Sequence, residues 1–278
     1  MDLELSERAE AVMDIFAKLR EQMLRKTSSF QDEDFAIRGL WKTELFFKPN
    51  IFERVFRYTF VLAQTVGQGC SYCDQDVLLD HDLIGKDSRE IITQTSCTGI
   101  AVLDSIFSSI PKQPQQVHEL QGDSIGKTSR RNSIILNEAE MLLKGRSRGE
   151  ARIVNVGVVG DLIRKLRDRN YAVFATDFDK AVVGRSLHGV NIEGGSKTLS
   201  YVRDCDIAII TGMTLATHSL DCIVETAHAC GTKLLMFAET GANFAEEYCN
   251  TIGIDVVVSE PFPFYIFQGR TRIEVYRR

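Results

Sequence analysis

The stretch Arg152–Asp179, RIVNVGVVGDLIRKLRDRNYAVFATDFD, constrains the fold most. Ile153, Val154, Val156 and Val158 form an apolar run of buried-strand length. Gly157 and Gly160 interrupt it. From Asp161 a helical pattern begins, with Leu162, Ile163 and Leu166 on one face and Arg164, Lys165 and Arg167 on the other. Ala172–Ala175 is a second apolar run, and it ends in Asp177 and Asp179. Strand, glycine turn, helix and strand in this order predict a βαβ unit of a parallel sheet. Glycines let a ligand approach the backbone. The unpaired N–H groups and dipole of a helix start favour negative charge, and an acid ending the second strand is placed to hold ribose hydroxyls.

The rest of the second half continues the alternation. Strands are expected at Asp206–Ile210, Lys233–Ala238 and Asp255–Val258. Helices are expected at Lys197–Val202, Leu220–Ala229 (with Gly231 as its C-cap) and Ala242–Thr251. A terminal hairpin is read at 264–276. The predicted class is α/β, with a Rossmann-like C-terminal domain. Ligands in such sheets sit beyond the carboxyl ends of the strands. Four loops therefore converge on one rim: 157–161, 177–180, 211–217 and 239–243. Gly157, Gly160, Asp161, Asp177, Asp179, Thr211, Gly212 and Thr214 are the candidate cofactor contacts. Glu239, Thr240, Asn243, Glu260 and His218 are the candidate substrate-handling and catalytic residues.

The first half reads as a smaller α+β domain. Helices are expected at 4–25, 97–110 and 132–143, and a strand at 53–62, with a second short one at 77–79. Residues 37–47, which hold the single tryptophan, fit either class. Residues 112–124 read as irregular. KGRSRG at 144–149 reads as a linker, dividing a domain 1–148 from a domain 149–278.

Two further motifs are weak. Gly122–Thr128 is one residue short of a phosphate loop and follows no apolar strand, so it reads as a polar loop leading to a helix. Cys70-Ser-Tyr-Cys73 has ligand spacing but lacks the four donors of a closed zinc site, and no metal site is assigned. The glycine turn lacks the middle glycine of a nicotinamide fingerprint. That favours S-adenosylmethionine, with NAD or a metal ion as alternatives.

With 278 residues the chain has room for two domains. A net charge of −5 gives no basic footprint for nucleic acid. No apolar run is long enough to span a bilayer, and the acidic N-terminus is not a secretory signal. Seven scattered cysteines fit reduced thiols and a cytoplasmic location. The expected partner is a small-molecule substrate, with a homodimer allowed.

Three segments resemble a known family: 154–179 above, CDIAIITGMTLATHSLDCIVETA at 205–227, and TGIAVLDSIF at 98–107. The second half resembles DUF364, a family labelled for heavy-metal chelation, and the first half its partner domain DUF4213. The resemblance implies an enolase N-terminal-like α+β unit packed on a Rossmann-like unit. The chain departs from the pattern at Thr217, where the family carries asparagine, and at Ala238–Gly241, where it carries Gly-Pro-Ser. Both departures fall on the predicted rim and imply a specialised ligand. The expected function is that of a small-molecule biosynthetic enzyme using a nucleoside-type cofactor. The alternative is a metal- or metallophore-binding protein without turnover.

Overall fold

The computed structural model describes residues 13–48, 55–73 and 77–278. The first helix, α1 (Ile15–Lys26), starts at Asp14, whose carboxylate caps the Ala17 N–H. Residues 4–12 of the expected helix lie outside the described residues. Next come the strands β1 (Gly39–Phe47), β2 (Phe56–Gln64) and β3 (Gln68–Cys73), which form an antiparallel sheet in the order β1-β2-β3. The ambiguous tryptophan segment is thus a strand. The CSYC motif ends β3, and residues 77–79 are not a strand.

The short α2 (Ser88–Ile91) precedes α3 (Cys97–Phe107), which lies against β2 and β3. A Cβ on Gly69 would stand 2.1 Å from the Ser105 backbone nitrogen, so glycine sets how closely sheet and helix approach. Residues 112–124, read as irregular, contain β4 (Gln116–Leu120). The following helix α4 (Ser124–Leu142) begins eight residues earlier than periodicity predicts, because Asp123 caps the Gly126 N–H. The phosphate-loop-like stretch is therefore this helix start.

The second half gives β5 (Arg152–Val156), α5 (Gly160–Asp168), β6 (Ala172–Asp177), β7 (Ser186–Leu187), β8 (Val190–Gly194) and α6 (Thr198–Asp204). Then follow β9 (Ile207–Thr211), α7 (Met213–Ala216), α8 (Leu220–Cys230), β10 (Lys233–Ala238), β11 (Val256–Ser259) and β12 (Thr271–Arg277). The β7–β8 hairpin and α7 have no counterpart in the sequence reading. The helix expected at 242–251 is present as one continuous helical segment over 242–252, 3-10 at its start, α in the middle and π-type at its end. The terminal hairpin is absent: β12 pairs antiparallel with β11 and β4.

All nine later strands join one sheet, ordered β4-β12-β11-β10-β9-β5-β6-β8-β7. From β11 to β8 it is parallel. The chain runs outward from β5 through β6 to β8, then returns to β9 and runs the other way. The reversal between β5 and β9 is the topological switch point where such sheets bind ligands. This is a Rossmann-like α/β architecture. β4 and α4 precede residues 144–149 yet belong to this sheet and its helix layer, so the division between the two sheets falls before β4. No helix among the described residues is long and apolar enough to cross a membrane.

One apolar core continues from α1 and α3 of the first unit into α8, β9 and β10 of the second. Beneath it lies a polar clamp. Asp104 of α3 accepts the backbone N–H groups of Cys70 and Asn243 at 2.9 and 2.8 Å, and the Asn243 amide at 3.1 Å. Burial pushes the Asp104 carboxyl up to about 6, against the pull of those N–H groups and the Lys112 charge.

Candidate functional site

A cleft of about 1370 Å³ opens at the carboxyl ends of β5, β6, β9 and β10. Gly157, Gly160, Asp161, Asp177, Asp179, Thr211, Gly212, Thr214, Glu239 and Thr240 line it. The first unit closes one side with Arg57, Tyr58 and Tyr72. Sequence reasoning assigned none of these three, since nothing local marks β2 and β3 as a wall of a cleft formed elsewhere.

The glycine turn is built from inside. Gly157 has φ of +78°, in the left-handed region, and a Cβ there would meet Thr211 Oγ1 at 2.9 Å. Its N–H bonds to the Thr176 carbonyl. The Val158 N–H goes to Asp177 Oδ2 at 2.8 Å, and the Val159 N–H to Asn155 Oδ1 at 3.0 Å. Helix α5 begins at Gly160 without a side-chain cap, facing the cleft.

The acids expected to hold ribose are already engaged. Asp177 takes two backbone N–H groups, one through each oxygen. Asp179 takes the Ala181 N–H at 2.8 Å. Asp161 accepts from Arg164 at 2.6 Å and from Asn132 at 3.1 Å, which hold its carboxyl below the usual range against the opposing effect of burial. Asp161 and Asp177 thus stand around the turn, with Arg164 paired to Asp161 and lining the cleft beside it.

At the far wall, Arg131 of α4 lies between the rings of Phe237 and Tyr265, 4.2 and 4.4 Å from their centroids. Its Nη1 donates to Glu239 and to Glu260, each at 3.1 Å. Glu260 is fully buried and also accepts the Tyr265 N–H at 2.6 Å. Burial and the mutual repulsion of the two carboxylates raise the Glu239 carboxyl, although the Arg131 charge opposes this. Burial raises Glu260 as well. One cation between the buried Glu260 and the partly buried Glu239 leaves the pair holding a proton that an exposed carboxylate releases. Glu239 is the member that reaches the cleft.

Three expected site residues stand elsewhere. Glu260 lies behind Glu239 and supports it through Arg131. Asn243 is turned into the polar clamp, where Asp104 and Lys112 consume its amide. His218 borders a separate pocket of about 360 Å³ beside α1, with Asp14 and Arg20. Thr240 lines the cleft, but its hydroxyl accepts the Tyr72 N–H at 2.9 Å, tying the two units together. Thr214 likewise spends its hydroxyl on the Thr211 carbonyl.

Phe178 was not anticipated. It sits between the two acids after β6, lines the cleft, and is 59% exposed. A Cβ on Gly195 would meet its ring at 2.3 Å, so the ring lies directly against that glycine. Cys70 and Cys73 are both buried but on opposite faces of β3, Cys70 with Phe60 and Phe264 and Cys73 with Val61 and Ala63. They do not converge on a metal. Among the described residues, Asp80, His81 and Asp82 alone bring three ligand atoms within 4.8 Å; all three are exposed and outside the cleft lining.

No curated protein matches the sequence. Two solved structures match over nearly their whole length, both described as proteins of unknown function from the DUF364 family. That from Pyrococcus horikoshii is 10% identical with a TM-score of 0.55, covering 95% of this chain and 100% of that chain. That from Desulfitobacterium hafniense is 10% identical with a TM-score of 0.54, covering 93% and 98%. The likeness is one of fold, and the DUF4213 character of the first half rests on sequence resemblance. The DUF364 family model, described as "Putative heavy-metal chelation", matches residues 146–256, and over that segment the chain is similar to the family.

Proposed function

We propose that this protein is a cytoplasmic enzyme of small-molecule metabolism, binding a nucleoside-type cofactor in the cleft and using Glu239 as its proton-carrying group. The carrying observation is Glu239 at the cleft wall, sharing one Arg131 nitrogen with the buried Glu260. A carboxyl that keeps its proton near neutral pH is suited to general acid–base work. Phe178, against Gly195 and largely exposed to the cleft, offers a ring for a planar base, and the uncapped start of α5 faces the adjoining space.

The two carboxylates at the glycine turn, Asp177 and the Arg164-paired Asp161, support S-adenosylmethionine over NAD. A dinucleotide pyrophosphate beside Gly157 would meet the Asp161 and Asp177 carboxylates, whereas a sulfonium cation is drawn to them. When bound, S-adenosylmethionine supplies an activated methyl or aminocarboxypropyl group. The chain's own part is to orient it between Phe178 and the glycine turn, and to hold or accept a proton at Glu239.

A second reading takes its support from the family description. The cleft carboxylates do not form a compact ligand set with donors from one another. A metal held here would arrive as a complex with its own donors, bound as cargo. Native mass spectrometry of the purified full chain separates the two readings. A retained adenosine compound supports the enzyme, a retained metal complex supports the carrier, and each result counts against the other.

A further inference from the structure

We propose that two copies of this chain associate edge to edge through β1, joining their three-stranded sheets into one six-stranded antiparallel sheet. The sheet has two edges. At β3, the Gly241 N–H bonds to the Cys70 carbonyl and the Tyr72 N–H to Thr240, so that edge is docked on the second unit. At β1, among the described residues, β2 is the sole strand partner. The segment 85–86 covers this edge at Ile37, whose N–H and carbonyl bond to Lys86 and Gly85, and β1 starts two residues later.

An unpaired edge is a pairing template, and isolated proteins blunt it with prolines, bulges, very short strands or charged side chains. β1 has none of the first three, and its two charges, Lys42 and Glu44, are of opposite sign and lie 3.2 Å apart. It runs nine residues in unbroken register with β2 and holds no proline. It also presents Trp41 at 45% and Phe46 at 65% exposure.

The sequence of the strand names the occupant as a second copy. In a two-fold antiparallel pair, residues that face each other share a face, so the axis passes through a residue. Centring on Thr43, the midpoint of Gly39–Phe47, overlaps all nine residues. It places Lys42 opposite the partner's Glu44, Trp41 opposite the partner's Leu45, and Leu40 opposite the partner's Phe46. Centring on Lys42 or Glu44 instead sets like charges against each other. Opposite charges and aromatic–aliphatic pairs are the favourable cross-strand combinations. Residues of β2 and β3 line the cleft and none of β1 does.

Sedimentation velocity on the full chain tests the pairing, with the fluorescence of Trp41, the chain's single tryptophan, as a local readout. The wild type is expected to dimerise as concentration rises, with Trp41 emission moving to shorter wavelength. Lys42→Glu sets like charges together twice per dimer and is expected to weaken association on the order of tenfold. The swap Lys42→Glu with Glu44→Lys restores opposite charges and is expected to recover dimerisation, with circular dichroism confirming that both variants fold. A monomer at every concentration overturns the proposal. So does a dimer indifferent to Lys42→Glu, a swap that fails to rescue, or a Trp41 response only to an added extended peptide.

Discussion

Asp177 accepts the backbone N–H of Val158 at 2.8 Å, and this bond shapes the cleft floor. The acid that the sequence offers to a ribose is first of all the brace of the glycine turn. Asp177→Asn is therefore expected to lower stability by about 1.5–3 kcal/mol, the range for hydrogen bonds to a charged group, even without ligand. Gly157→Val combines a branched side chain with φ of +78° and a contact on Thr211, so it is expected to disrupt folding and not merely binding. Urea unfolding of the two variants checks both. Unchanged stability in Asp177→Asn would return the residue to a purely ligand-holding role.

Arg131 is expected to be the least replaceable side chain at the site. Arg131→Met leaves Glu239 and Glu260 without their cation and should cost about 3–5 kcal/mol, as for a broken buried pair. Adding Glu239→Gln and Glu260→Gln to that variant should recover part of the loss. Chemical denaturation gives both numbers, and a loss under about 1 kcal/mol would mean the acids do not depend on this cation.

The clamp between the units predicts a pH dependence. The ordinary Asp104 value is 3.8 and the folded value about 6. Between them the folded chain keeps a proton that the unfolded chain releases. Its contribution is therefore fully present below the lower value and declines as pH rises through the higher one. Asp104→Asn should remove that slope. It should also lower stability by about 1–3 kcal/mol, because an amide turns an N–H group toward donors the carboxylate accepted. Stability curves of wild type and variant that stay parallel from pH 4 to about 7 would contradict this.

These examples show what the sequence makes legible. The strand–glycine–helix–acid order is local, so the cleft floor could be read from periodicity and punctuation. The far wall could not. Arg131 sits on a helix more than a hundred residues before Glu239 and looks like any cation of an amphipathic helix. Asn243 and Glu260 fall at the expected loop positions, but Asp104 and Arg131 turn them inward, and both partners are distant in sequence. β4 escaped because QVHEL is mostly exposed at a sheet edge, where only its pairing with β12 defines it. Phe178 carries a local signal, a large aromatic between two acids at a strand end.

The thiols should sort by burial. Cys222 and Cys230 are exposed, whereas Cys70, Cys73, Cys205 and Cys249 are buried. Burial holds the Cys70 thiol well above its ordinary value, and so neutral. Brief alkylation of the folded protein, mapped by mass spectrometry, should label Cys222 and Cys230 first. Early labelling of Cys70 and Cys73, or its suppression by zinc, would show that the pair is reactive and reopen CSYC as a metal site.

The central claim is a nucleoside-type ligand lying between the glycine turn and Phe178. Isothermal titration of S-adenosylmethionine, S-adenosylhomocysteine, NAD and ATP into wild type and Phe178→Ala tests it most directly. The ring is largely exposed, so the variant should fold normally. Loss of base stacking is worth about 1–3 kcal/mol, on the order of 5–150-fold in affinity. The account predicts that S-adenosylmethionine binds more tightly than NAD or ATP, and that Phe178→Ala weakens it by that factor. Binding no tighter than about millimolar for all four ligands, or an affinity indifferent to Phe178, would contradict it.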